Sequence, residues 1–156
     1  MGKITKILAP TDFSELSKVG VRYALEMARD VNAEVIVYHA IDLGAEWKDR
    51  RAEVAPYHDM IEESVQLMDK FLADHFVGCI DGVEVRKAVE FGTPHINIVE
   101  KAAAEGAELI VMSTHGRTGV DHMILGSVAE KVVARATCPV LVVPRPDRRA
   151  AVVVAA

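Results

Sequence analysis

Glu34 to Ile41 reads EVIVYHAI, a β-branched and aliphatic run with little polar alternation. A strand made from it offers no face to water. Strands covered on both sides belong to parallel sheets, and parallel neighbours are joined by crossovers, usually helical ones. That requirement guides the reading of the remaining segments.

Ile4 to Pro10 (ITKILAP) is a first short aliphatic run, stopped by proline. Thr11 to Ser14 follow as a turn, and Asp12 with Glu15 three residues on resembles a capping box. Val19, Tyr23, Met27 and Val31 recur at i+4 and predict an amphipathic helix from about Ser14 to Val31, with Asn32 as its stop. Asp42 to Pro56 is polar and read as irregular. Met60, Ser64, Met68 and Phe71, flanked by Ile61, Val65 and Leu72, predict a second helix over Pro56 to Phe76, and Gly78 to Gly82 turn the chain.

Val83 to Glu90 alternates, as expected of a strand nearer the sheet edge. Thr93 and Pro94 then form a cap and first-turn proline for a helix carrying Ile96, Val99, Ala102 and Ala103, with Gly106 at its C′ position. Leu109 to Ser113 is a fourth strand, Ser127 caps the next helix, and Val140 to Val143 is a final strand between two prolines. The fold class expected is α/β: an open five-stranded parallel sheet with helices on both faces, joined by right-handed crossovers. Ligands bind such sheets beyond the carboxyl ends of the strands, at a topological switch point. The loops Pro10 to Ser14 and Ser113 to Ser127 both lie at that end, and they face each other if the first and fourth strands are neighbours.

With 156 residues the chain fits one domain, drawn as residues 1–146 with a tail of 147–156. The formal charge of −5 argues against a nucleic-acid surface, which needs a basic stripe. Cys79 and Cys138 form no disulfide framework or ligand cluster. No run is long enough to span a bilayer and no signal peptide is visible, so a cytoplasmic location without membrane contact is the expectation.

The functional signal is MSTHGRTGVDHMILGS, Met112 to Ser127. Gly116, Gly119 and Gly126 stand among hydroxyl residues and Arg117, between a buried strand and a helix N-terminus, a phosphate-binding arrangement. Its length exceeds that of an ordinary βα connection. Neither GxxxxGK[ST] nor GxGxxG occurs in the chain. His39, in the second strand, is expected to satisfy a backbone partner, and His115 to serve as a loop spacer or donor; no catalytic constellation is assigned.

Lys6 to Glu15 (KILAPTDFSE), Glu34 to Asp42, Ser113 to Ser127 and Gly126 to Pro144 (GSVAEKVVARATCPVLVVP) together resemble the universal stress protein family over nearly the whole chain. The family's ATP-binding members carry G-x2-G-x9-G-[ST]. Gly116, nine intervening residues, Gly126 and Ser127 match it, while Ser113 stands at the first glycine and adds a Cβ and a hydroxyl there.

The resemblance implies a Rossmann-like fold of the adenine nucleotide alpha hydrolase type. It also implies an adenine-nucleotide site, with ATP and Mg²⁺ as the expected cofactors. Thr11 and Asp12 would lie at the ribose and phosphates, with Asp12 either a metal ligand or only a helix cap. Ala40 would pack on adenine with Pro10 and Met112 close by, and Gly116, Arg117, Gly126, Ser127, Val128 and Ala129 would surround the phosphates. By the same resemblance the last strand pairs across a two-fold axis in a homodimer, unless the tail covers it. A nucleotide-responsive regulatory module is the first expectation, with an interaction protein that has lost nucleotide binding and a slow Mg²⁺-dependent ATP hydrolase as rivals.

Overall fold

A computed structural model describes residues 2–44, 54–114, 125–146 and 153–155. In chain order the elements are β1 (Lys6–Pro10), α1 (Ser17–Val31), β2 (Glu34–Ile41), α2 (Val54–His75), α3 (Val77–Ile80), β3 (Glu84–Phe91), α4 (Pro94–Glu105), β4 (Leu109–Ser113), α5 (Ser127–Arg135), β5 (Val140–Val143) and β6 (Val153–Ala155). The sheet runs β3-β2-β1-β4-β5-β6. Five strands are parallel, as the unalternating EVIVYHAI run requires, and β3 is the outer strand on one side.

Period-two alternation sorts the strand residues into two cores. Ile7 and Ala9, Val35 and Val37, and Leu109 and Val111 pack on one face with α1 and the buried residues of α2. Leu8, Ile36, Tyr38, Ile110 and Met112 pack on the other with Ile98 and Ala102 of α4 and Ala129 and Val132 of α5. Because β1 sits beside β4, Ile7 opposite Leu109 and Leu8 opposite Ile110, the strand order reverses between them. The switch point therefore lies between Pro10 and Ser113, the strand ends at which the two loops singled out from sequence begin.

Several expectations change. The stripe Val19, Tyr23, Met27, Val31 is not the most buried face of α1: Tyr23 is 39% exposed, whereas Gly20, Val21, Ala24, Leu25 and Ala28 are buried. Small residues there let the helix backbone lie against the sheet, so close approach decided the face. In α4, likewise, Ile96 is exposed and Ile98 is buried. Gly78 lies in the short helix α3, which precedes the turn at Gly82, and Asp12 forms no capping box with Glu15. Instead the Asp12 carboxylate accepts the Ser14 N–H at 3.0 Å, and the Ser14 hydroxyl accepts the Ser17 N–H at 3.2 Å to start α1. Asn32 and Gly106 do end their helices in the left-handed conformation.

The largest addition is β6, antiparallel to β5 with Val140 opposite Ala155 and Val142 opposite Val153. Residues 147–156, drawn as a tail, thus contribute a strand, and the outer side of β5 is taken by the same chain.

Candidate functional site

Beyond the carboxyl ends of β1, β2 and β4 lies a cleft of about 520 Å³. Pro10 and Thr11 end β1, Tyr38 to Asp42 end β2, and Met112 with Ser113 end β4; Pro94 and Ile98 of α4 and Val128 of α5 complete the lining together with Asp12 and Ser17. Its apolar part, Pro10, Ala40, Ile98 and Met112, suits a flat ring system. Much of the polar part comes from the β1–α1 loop, and Val128 brings the first turn of α5 to the border of the cleft, a helix N-terminus of the kind that favours an anion.

The β1–α1 loop is held by its own hydrogen bonds. The Ser17 hydroxyl donates to the Ser14 carbonyl at 2.8 Å, so it accepts from the Thr11 hydroxyl, also at 2.8 Å. Thr11 Oγ1 in turn accepts the Phe13 N–H at 3.0 Å. The Thr11 hydroxyl, expected near a ribose, is thereby engaged inside the loop. Phe13 adopts φ +64°, a conformation costly for a bulky residue. Its ring lies tilted against His39 with centroids 4.4 Å apart and meets Phe71 edge-on at 5.5 Å, contacts that help offset the strain.

His39 Nδ1 donates to the Thr11 carbonyl at 2.8 Å, the backbone partner that was expected. A carbonyl oxygen can only accept, so the bond places a proton on Nδ1. Tyr38 is fully buried beneath the cleft and its hydroxyl donates to Glu90 at 3.1 Å. Burial above all, with Glu90 adding to it, holds the phenol protonated far above its usual range. Tyr38 is thus a neutral part of the floor.

Ser113 lines the cleft, yet its hydroxyl is committed elsewhere. It accepts the Gly20 N–H of α1 at 2.9 Å and donates to the carbonyl of Leu16, the N-cap residue of that helix, at 2.6 Å. Gly126, φ −71° and ψ 162°, needs no left-handed freedom and occupies the N-cap position of α5; its N–H bonds to the Thr114 carbonyl. That bond brings the end of β4 to the start of α5.

Of the residues singled out from sequence, Pro10, Thr11, Asp12, Ala40, Met112, Ser113 and Val128 line the cleft. Gly126 and Ser127 lie at the start of α5 just outside the lining, and Ala129 is buried in the core beneath that helix. Gly116, Arg117 and His115 fall outside the described residues. Sequence reasoning missed Ser17, Tyr38, Ile41, Asp42, Pro94 and Ile98. Pro94 and Ile98 gave no local sign of a site, because they reach it only when α4 packs over β2. Ser17, a hydroxyl in the first turn after β1, was open to notice.

Among the described residues no group of three or more His, Cys, Asp or Glu side chains could hold a metal ion by itself. No helix among them is long and apolar enough to cross a membrane.

The family model described as the universal stress protein family matches residues 3–144. The chain belongs to the universal stress protein family. Universal stress protein MJ0531 of Methanocaldococcus jannaschii is 33% identical over 153 residues, 92% of this chain and 84% of that one. The solved structure of hypothetical protein MJ0577 aligns with a TM-score of 0.79 at 31% identity, covering 94% of this chain and all of that one. Two more distant universal stress proteins share the fold and were solved as nucleotide complexes. One is bound to cAMP (24% identity, TM-score 0.61, 92% of this chain and 98% of that one). The other, from Archaeoglobus fulgidus, is bound to dAMP (22%, TM-score 0.56, 90% and 98%).

Proposed function

We propose that this universal stress protein is an adenine-nucleotide-binding regulatory module, and that ATP is the nucleotide. The observation that carries the reading is the cleft at the β1/β4 switch point, with an apolar half formed by Pro10, Ala40, Ile98 and Met112 and with Val128, in the first turn of α5, at its border. An adenine ring suits the first and phosphates the second. Family members whose structures hold cAMP and dAMP support the ligand class.

Under this reading Asp12 faces the phosphate side. One carboxylate suffices for Mg²⁺ when phosphate oxygens supply further ligands, so the lack of an all-protein cluster among the described residues is compatible with a metal that arrives with the nucleotide. Such an ion would neutralise phosphate charge. The chain's own contribution is binding and orientation: Thr11 and Ser17 hold the loop that presents Asp12, and α5 offers backbone donors. We include in the proposal a cytoplasmic homodimer through the last strand, Val140 to Val143, in which a second copy would take the place that β6 holds beside β5.

Purified protein is heat-denatured and the supernatant assayed for adenine nucleotide, followed by calorimetry with ATP on emptied protein. Released nucleotide, or ATP binding strengthened by Mg²⁺ and weakened by Asp12→Ala, is the expected result. Absence of both release and binding at millimolar ATP would overturn the reading.

A further inference from the structure

We infer that Ser113 is a positioning residue: its hydroxyl closes the first turn of α1 and thereby fixes the Thr11 to Ser17 wall of the cleft. The inference rests on the nucleotide reading for the ligand it serves, and on geometry for the rest.

Helix α5 closes its first turn directly, the Glu130 N–H donating to the Gly126 carbonyl at 2.9 Å. In α1 the Leu16 carbonyl takes the Val19 N–H at 3.2 Å, a tighter three-residue closure, and the four-residue link to Gly20 runs through a side chain from another element. Ser113 Oγ accepts from Gly20 N–H at 2.9 Å and donates to the Leu16 carbonyl at 2.6 Å, the two groups a regular turn would join to each other. The hydroxyl thus bridges a donor and an acceptor four residues apart. The Leu16 carbonyl also accepts the Val19 N–H at 3.2 Å, so the group that depends most on the hydroxyl is the part-buried Gly20 N–H, and leaving its bond unmade is costly.

The approach that makes this possible is close. A Cβ on Gly20 would stand 2.7 Å from the Ser113 nitrogen and 2.9 Å from the Met112 carbonyl carbon. Backbone of α1 and backbone at the end of β4 are therefore in direct contact, and the hydroxyl is spent within that contact. Ser17 begins α1 one residue after Leu16 and bonds to Thr11 Oγ1, which bonds to the Phe13 N–H. Fixing Leu16 thus bears on the segment from which Asp12 lines the cleft.

This reverses the meaning of the serine. Ser113 stands where an ATP-binding motif has glycine, but its hydroxyl turns to α1, and it supports the site by holding the opposite loop. Replacing it by glycine is expected to weaken nucleotide binding.

The test compares wild-type full chain with Ser113→Ala, Ser113→Gly and Ser113→Thr, using ATP calorimetry and amide hydrogen exchange without nucleotide. Loss of the bridge is expected to speed exchange at Gly20 roughly tenfold in the Ala and Gly variants. Exchange at Phe13, Ser14 and Ser17 should rise with it while Val35 and Ile36 of β2 stay unchanged, a pattern that general destabilisation would not produce. ATP affinity should fall about three- to tenfold in both variants, and the Thr variant, which keeps a hydroxyl, should recover both readouts. Unchanged exchange at Gly20, or ATP binding by Ser113→Gly at least as tight as wild type, overturns the inference. Wild type without affinity for ATP overturns the nucleotide reading and the ligand half of this inference, while the exchange pattern still decides whether Ser113 holds the loop.

Discussion

Gly20 shows how little room a single position can leave. It sits inside α1, where glycine costs helix stability relative to alanine, yet an added Cβ would press on backbone atoms of Met112 and Ser113 that cannot rotate away. Gly20→Ala therefore sets a propensity gain of about 1 kcal/mol against overpacking of about 1–3 kcal/mol at a junction between helix and strand. Net destabilisation is expected, read as a lower urea midpoint with an unchanged slope; a variant more stable than wild type would show that α1 can withdraw from β4 at no cost. Phe13 is the complementary case, a bulky side chain at φ +64° kept there by ring contacts with His39 and Phe71. Neither constraint has a signature in the local residue pattern.

Helix α4 and strands β2 and β3 are tied at their surface by a network of charges. Arg86 bonds Glu34 at 2.7 Å and Glu105 at 2.7 and 3.0 Å, while Lys101 reaches Glu90 at 2.8 Å and Glu105 at 3.3 Å. The Arg86 guanidinium, bonded in bidentate fashion, and then Lys101 lower the Glu105 carboxyl from its ordinary 4.5 to about 2. The depressed group binds fewer protons in the folded chain than in the unfolded one between these values, so its contribution is complete above pH 4.5 and is lost as pH falls toward 2. Glu105→Gln should flatten the fall of stability across that interval, measured as urea midpoints at several acidic pH values. A wild-type and variant pair with parallel profiles there would show that water screens the network. The pairs are partly exposed, so the difference in slope carries the test.

Two features act at the scale of the molecule. Placing β1 beside β4 creates the switch point, and with it a cleft that draws on α1, α4 and α5 together. The second is β6, which covers the outer side of β5. An apolar VLVV strand left bare is an edge that seeks a partner. A chain ending at Pro146 is expected to show a larger share of dimer than the full chain in sedimentation velocity, with ATP affinity unchanged because the cleft lies at the other junction. Identical sedimentation of the two chains would mean that β6 does not control access to that edge.

The identities of β1 to β5 and of α1, α2, α4 and α5, and the bounds of β2, β4 and β5, were legible from the sequence because they are written in local runs and periods of apolar residues, and the helix ends at Asn32 and Gly106 because left-handed caps favour those residue types; α3 and β6 were not. The Pro10 to Ser14 loop and the start of the second loop at Ser113 were legible too, as polar interruptions at the carboxyl ends of buried strands. What only the tertiary structure decided is who meets whom. Ser113 finds Gly20 across 93 residues of chain, Ile98 faces the cleft because α4 lies over β2, and the segment after Pro146 returns to the sheet. The physical reason is that periodicity records the kind of element a segment forms, whereas the face a helix buries and the partner of a hydroxyl or of a strand edge are set by elements far apart in the sequence. Ser113 alone reads as a polar loop residue, and its role exists only against the backbone of α1.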